Sequence, residues 1–202
     1  MIIRIMAADP DLQLAGGTMK RICLILALGA VLVFVNSASM AQEQKGAEEA
    51  GQELRNMILS VSPDRLGLKP DTAFPKVYGL LMDWNIGEKT ASILALKDGT
   101  ASLYTTSSFG IIGGQGNERV RVAAERCARL AGAYYYKGRP VSAFPYPGPG
   151  QVNFFLLTYQ GTRLCIADER MLKKGRDPYS PLFAAAQIVL TEMRRANEDH
   201  MR

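Results

Sequence analysis

Histidine is almost absent from this 202-residue chain, in which His200, third from the end, is the only one. Hydrolases with a Ser-His-Asp or Cys-His arrangement, and the common zinc sites, need imidazoles that the fold holds in place. A side chain in a polar C-terminal tail is not held in that way. The sequence therefore argues against histidine-based catalysis, and it predicts neither a metal nor a cofactor.

Cysteine is also scarce, with Cys23, Cys127 and Cys165. Cys23 begins an apolar run, whereas a lipid-modified cysteine follows one, so lipidation is not expected. Cys127 and Cys165 fall in a predicted helix and a predicted strand. The sequence leaves two states open for them, because an oxidising compartment permits a disulfide and a protein core also accepts free thiols.

Long hydrophobic runs are missing as well, since the one apolar run, residues 22–35, is shorter than the ~20 residues of a membrane-spanning helix. It follows two basic residues and is followed by small residues, an order typical of a signal peptide. We predict a signal peptide over residues 19–41, cleavage after Ala41, and a periplasmic or secreted product. The alternative is an uncleaved signal that anchors the chain in the inner membrane.

The rest of the chain has the size of one domain. Residues 1–18 form an uncertain N-terminal extension, which a translation start at Met19 would explain. We predict an N-terminal helix with a proline-containing linker over 42–75, a single α+β domain over 76–197, and a tail over 198–202.

Alternating apolar side chains and tight turns predict five strands and three helices. Asp98-Gly99, for example, is typical of a two-residue hairpin turn, and Asn117 is a good helix N-cap. The predicted fold is a five-stranded antiparallel sheet, made of a three-strand meander, a helix, a two-strand hairpin and a helix, with the helices packed on one face. The predicted strands cover Lys76–Ile86, Thr90–Lys97, Ala101–Phe109, Val152–Tyr159 and Thr162–Ala167.

A glycine-rich loop between the third strand and the next helix is the candidate ligand site. Free amides at a helix N-terminus can bind an anion, although the spacing fits neither the dinucleotide fingerprint nor the phosphate loop. A tight turn between strand and helix is the alternative. The candidate ligand-binding residues are Gly110, Gly113, Gly114, Gly116 and Asn117.

Three acids, Asp83, Asp168 and Glu169, are the candidates for a carboxylate-based hydrolase beside that loop, although their separation cannot be read from the sequence. Asp83 lies inside an apolar strand. Strict alternation places it opposite the face that carries Tyr78, Leu80, Met82 and Trp84. This predicts that Asp83 lies on a solvated face of the sheet.

Aromatic and proline-rich residues between Tyr134 and Gly150 are typical of a rigid contact surface. The alternative, which the composition fits equally well, is a loop that covers the edge of the sheet. The candidate partner-binding residues are Tyr135, Tyr136, Phe144 and Tyr146. The sequence favours a non-catalytic protein that binds an unknown protein or small molecule in the cell envelope. It indicates no nucleic-acid partner, and membrane contact only through the signal segment. The carboxylate-based hydrolase and a membrane-anchored structural accessory domain are the alternatives.

Overall fold

A computed structural model of the chain describes residues 49–106, 110–112 and 116–200. The predicted signal peptide, residues 19–41, lies outside the described residues and stays a prediction. Among the helices that the structure describes, none combines the length and the apolar character needed to cross a membrane.

An antiparallel sheet forms the centre of the α+β domain. Its five long strands are β1 (Val77–Ile86), β2 (Lys89–Leu96), β3 (Ala101–Thr105), β6 (Gln151–Thr158) and β7 (Arg163–Asp168). These correspond to the five predicted strands. Two strands of two residues each, β4 (Ile111–Ile112) and β5 (Arg139–Pro140), extend the two edges. Within the described residues the sheet therefore has seven strands instead of the five predicted, in the order β4-β3-β2-β1-β6-β7-β5.

The central strand β1 is apolar on both faces because helices cover both sides of it. It pairs with β2 and with β6, and its register against β6 shifts between Val77 and Gly79. This shift breaks the alternation, so Tyr78 packs with Leu81 on one face, while Val77 packs with Leu80 on the other. The expectation that Tyr78 shares a face with Leu80 was wrong, since strict alternation cannot foresee an irregular register.

Two long helices cover the first face. α2 (Glu118–Gly132) begins after Asn117, the predicted N-cap, and α4 (Ser180–His200) contacts α2, β2 and β3. A short helix, α3 (Glu169–Lys173), joins β7 to this layer. The amphipathic helices bury their apolar stripes against the sheet. The fully buried residues here include Leu80, Met82, Val120, Cys127, Phe154, Leu182, Ala186 and Val189.

The first described helix of the chain covers the opposite face, which corrects the expectation that the helices pack on one face only. The described part of α1 covers residues 49–60, and a 3-10 helix, Pro63–Leu66, follows it. Ile58 and Leu59 of α1 belong to a core cluster with Leu81 and Phe155 of the sheet. The sheet is thus enclosed between α1 on one side and α2 with α4 on the other.

Candidate functional site

A buried ion pair joins α1 to the centre of the sheet. The Nε of Arg55 donates to the two carboxylate oxygens of Asp83 at 3.2 and 3.0 Å, and a terminal nitrogen reaches the second of these oxygens at 2.5 Å. The two side chains are 1% and 0% exposed. Removing such charges from water costs several kcal/mol per ion, so the pair is stable only where further polar contacts match both charges.

Neighbouring residues supply these contacts. Ser92, directly across from Asp83 on β2, donates its hydroxyl to the carboxylate at 2.6 Å. The carbonyl of Phe144 accepts a hydrogen bond from Arg55 at 3.0 Å. The Tyr146 ring lies 4.1 Å from the guanidinium carbon and covers its outer side. These contacts close the ion pair off from solvent.

The burial of Asp83 corrects the expectation of a solvated sheet face. Burial raises the pKa of the Asp83 carboxyl, and the hydrogen bonds from Arg55 and Ser92 act in the opposite direction. Because arginine cannot lose its proton in a protein, an ionised Asp83 is the state that leaves no isolated charge in the core. Alternation correctly placed Asp83 opposite Leu80, Met82 and Trp84, but it could not show that α1 covers the Asp83 face and brings a cation to it.

The three candidate acids do not converge on one space. Asp83 points to the α1 side of the sheet, whereas Glu169 accepts a hydrogen bond from the indole of Trp84, on the α2 and α4 side, at 2.7 Å. Asp168 caps α3 by accepting from the amide of Met171. A carboxylate pair that acts on one substrate must face a common cleft, and this geometry does not favour the hydrolase alternative.

Glu169 and Trp84 allow a direct test of this part of the structure. The hydrogen bond from Lys173, and after it the bond from Trp84, hold the pKa of Glu169 below its ordinary range. An acid with a lowered pKa stabilises the fold at pH values above its ordinary pKa, and this contribution is lost as the pH falls through the folded-state pKa. Because Trp84 is the only tryptophan, its fluorescence should titrate at a pH below the ordinary glutamate range, and Glu169→Gln should abolish the transition. A midpoint within or above the ordinary glutamate range, with circular dichroism unchanged, would contradict this.

The glycine-rich loop is described in part. Gly113 and Gly114 lie outside the described residues, and Gly110, Gly116 and Asn117 lie within them. The side-chain oxygen of Asn117 accepts the amides of Arg119 and Val120 at 3.0 and 3.3 Å. The cap predicted from the sequence is confirmed, and two amides at the start of α2 already have a partner within the protein.

Both described cysteines are free and buried. Cys127 and Cys165 belong to the core cluster beneath α2 and α4, so the structure does not form the disulfide that the sequence left open. Burial raises the pKa of Cys127 to about 12 and also raises that of Cys165. Both thiols act as small apolar side chains. No group of three His, Cys, Asp or Glu side chains in the described part of the chain is placed to bind a metal.

Tyr135 and Tyr136 form part of a cationic and aromatic surface at the end of α2. Lys76 lies 5.1 Å from the Tyr135 ring and 4.2 Å from the Tyr136 ring, and it donates a hydrogen bond to the Tyr136 hydroxyl. The Arg163 guanidinium lies 4.8 Å from the Tyr135 ring. We call Lys76, Tyr135, Tyr136 and Arg163 the Tyr135 surface. The Tyr136 side chain is 79% exposed and is available for contact.

Phe144 and Tyr146, the other two predicted partner-binding residues, lie elsewhere and cover the Arg55–Asp83 pair. Phe144 packs edge-on against Phe155, with ring centroids 5.9 Å apart. Tyr146 is 37% exposed and presents the rest of its ring to Arg55. The structure therefore divides the four predicted aromatic residues between two places, one of them mainly structural.

A groove of about 400 Å³ between α2 and α4 contains residues that the sequence analysis did not select. Val122 and Ile188 contribute apolar side chains to its lining, and Arg119, Arg126 and Glu192 carry charge beside them. Ile188 is 55% exposed. The sequence signal that could have identified this groove is an isoleucine, Ile188, that lies outside the buried apolar stripe of α4.

Comparison with known families, with characterised proteins and with solved structures finds no match to this chain. Its function is therefore inferred from the placement of its own side chains.

Proposed function

We propose that this chain is exported and that its α+β domain binds a partner, a protein or a small molecule, in the cell envelope without catalysing a reaction. Cleavage after Ala41 would release the domain to the periplasm or beyond, and an uncleaved signal would keep it at the inner membrane. The observation that carries the proposal is the Tyr135 surface, where exposed aromatic and cationic side chains gather at one end of the domain.

Two physical features of this surface favour binding. Tyrosine and arginine are enriched among the residues that dominate interface energies, because they combine a large apolar area with polar groups. Contacts between the cations and the rings also hold these side chains in position before a partner arrives, which reduces the entropy lost on association. Asp83 and Asp168, in contrast, are engaged in the structural contacts described above.

A photo-activated cross-linker at position 136 tests the proposal in the cells that produce the protein. We expect one discrete adduct in the envelope fraction, with the protein starting at Gln42 on N-terminal sequencing. The matched control is the same cross-linker at Ile166, an exposed side chain on β7, which should give no such adduct. A protein in the membrane fraction that still carries the residues before Gln42 would favour the alternative in which an uncleaved signal anchors the chain. An intact chain in the cytosol, or equal adducts at both positions, would contradict the proposal.

A further inference from the structure

The Tyr135 surface belongs to a larger group of cations that form no ion pair with an acid within the described part of the chain. Lys76, Arg129, Lys137 and Arg163 each lie within 5.4 Å of an aromatic ring centroid. None of these four forms an ion pair with a carboxylate of the described residues. Aromatic rings attract cations without neutralising them, so positive charge accumulates at this end of the domain.

The four cations are linked through the side chains between them. Lys76 and Arg163 both lie against the Tyr135 ring. Lys76 also lines a cavity of about 170 Å³, together with Arg129 and Phe74. Lys137 lies over the ring of Tyr134, next to Tyr135 in the chain. A single ligand can therefore contact several of these cations at once.

Asp71, an acid whose carboxylate accepts the amide of Phe74, already has its charge matched. The Asp71 carboxylate forms an ion pair with Lys97 at 2.5 Å, and the ammonium of Lys97 lies 5.4 Å from the Phe74 ring. The hydrogen bond from Lys97 is the main reason why the pKa of Asp71 is lowered. Asp71 therefore offers little compensation to Lys76 or Arg129.

We propose that this end of the domain binds an acidic segment of a protein partner. The inference rests on the proposed function and adds the chemistry of the partner to it. Charge complementarity accelerates encounter and selects a partner of opposite sign. The Nε of Arg163 donates to the Gly138 carbonyl at 2.9 Å, which fixes the side chain, and a guanidinium held in this way is suited to bind a carboxylate.

A protein partner fits this surface better than a membrane does. Helices that bind at membrane interfaces insert aliphatic or aromatic side chains below the headgroups. The exposed ring here, Tyr136, has its hydroxyl engaged by Lys76, and the surrounding side chains are charged. Tyrosine with clustered cations instead suits contact with an acidic peptide, whose carboxylates meet the cations while its backbone packs on the ring.

Fluorescence anisotropy with a fluorescein-labelled deca-glutamate peptide tests the inference on the purified protein. We expect binding at low salt that weakens as salt is added. The double variant Lys76→Gln/Arg163→Gln should weaken binding about tenfold or more. The double variant Lys76→Gln/Lys137→Gln keeps the Arg163 hydrogen bond and should weaken peptide binding to a similar extent. Agreement between the two variants would show that the first one loses binding through its charges and not through a folding defect.

The matched control removes the same charge elsewhere. Arg119→Gln/Arg195→Gln alters two exposed cations of α2 and α4 that pair with Glu192, and it should change binding less than about twofold. Equal weakening by the control, or no binding by the wild-type protein, would overturn the inference. Binding to phosphatidylglycerol vesicles that depends on Lys76 and Arg163, without peptide binding, would overturn it in favour of a membrane. An adduct at position 136 in cells together with any of these failures would leave the proposed function standing.

Discussion

Replacing Arg55 with methionine is expected to lower the free energy of unfolding by about 3–5 kcal/mol. Methionine keeps most of the side-chain volume but leaves the Asp83 carboxylate buried without its cation. Asp83 is fully buried and cannot recover its hydration by a small movement. Urea denaturation followed by Trp84 fluorescence measures the loss.

Two further variants separate the ion pair from general packing. Arg55→Met/Asp83→Leu removes both charges and should recover about half of the loss or more, because the isolated charge is what costs most. Glu125→Gln breaks the exposed pair of α2 between Arg121 and Glu125 and should cost less than about 0.5 kcal/mol. A loss below about 1 kcal/mol for Arg55→Met would show that α1 does not hold its guanidinium in the core.

Phe155→Ala is expected to destabilise the protein by about 3–5 kcal/mol, the usual range for truncating a buried phenylalanine. Phe155 is fully buried in β6, packs against Phe144 and lies 5.5 Å from the Arg55 guanidinium. Its loss therefore removes apolar burial and also opens the space beside the ion pair.

The matched control for this prediction is Ile166→Ala in the neighbouring strand β7. Ile166 is 45% exposed, and its truncation should change the unfolding free energy by less than about 0.5 kcal/mol. The same denaturation experiment measures both variants. Similar losses for Phe155→Ala and Ile166→Ala would contradict the description of the α1 side of the sheet as a closed core.

The strands could be predicted from the sequence because their signals are local. Alternating side chains and the Asp98-Gly99 turn need no knowledge of the rest of the chain, and Gly99 indeed has a φ of 85°. The two-residue strands β4 and β5 have no such signal, because they form only where the longer strands β3 and β7 offer a free edge.

The buried ion pair was missed because its two halves lie in different elements. In α1 the apolar Met57 is 57% exposed, while Arg55 is buried with Ile58 and Leu59. One signal was present in the sequence. β1 is apolar on both faces, as a strand covered on both sides is, and an acid on such a strand needs a partner of opposite charge.

The Tyr135 surface was predicted in part. Tyr135 and Tyr136 were selected as exposed aromatic residues, but Lys76 and Arg163 are distant in sequence and meet them only through the fold. The separation of Phe144 and Tyr146 from this surface could not be foreseen either, because a proline-rich segment gives no periodicity from which its path can be read.

The position of β1 between β2 and β6 gives it one local and one distant pairing partner. Its pairing with β2 is local, but its pairing with β6 awaits a segment far along the chain, and such non-local contacts slow folding because a long loop must close first. Until β6 pairs with it, β1 has an edge of unpaired backbone groups, and such an edge promotes aggregation. A polypeptide with this delay exposes an unpaired strand edge for longer, and chaperones can shield that edge during the interval.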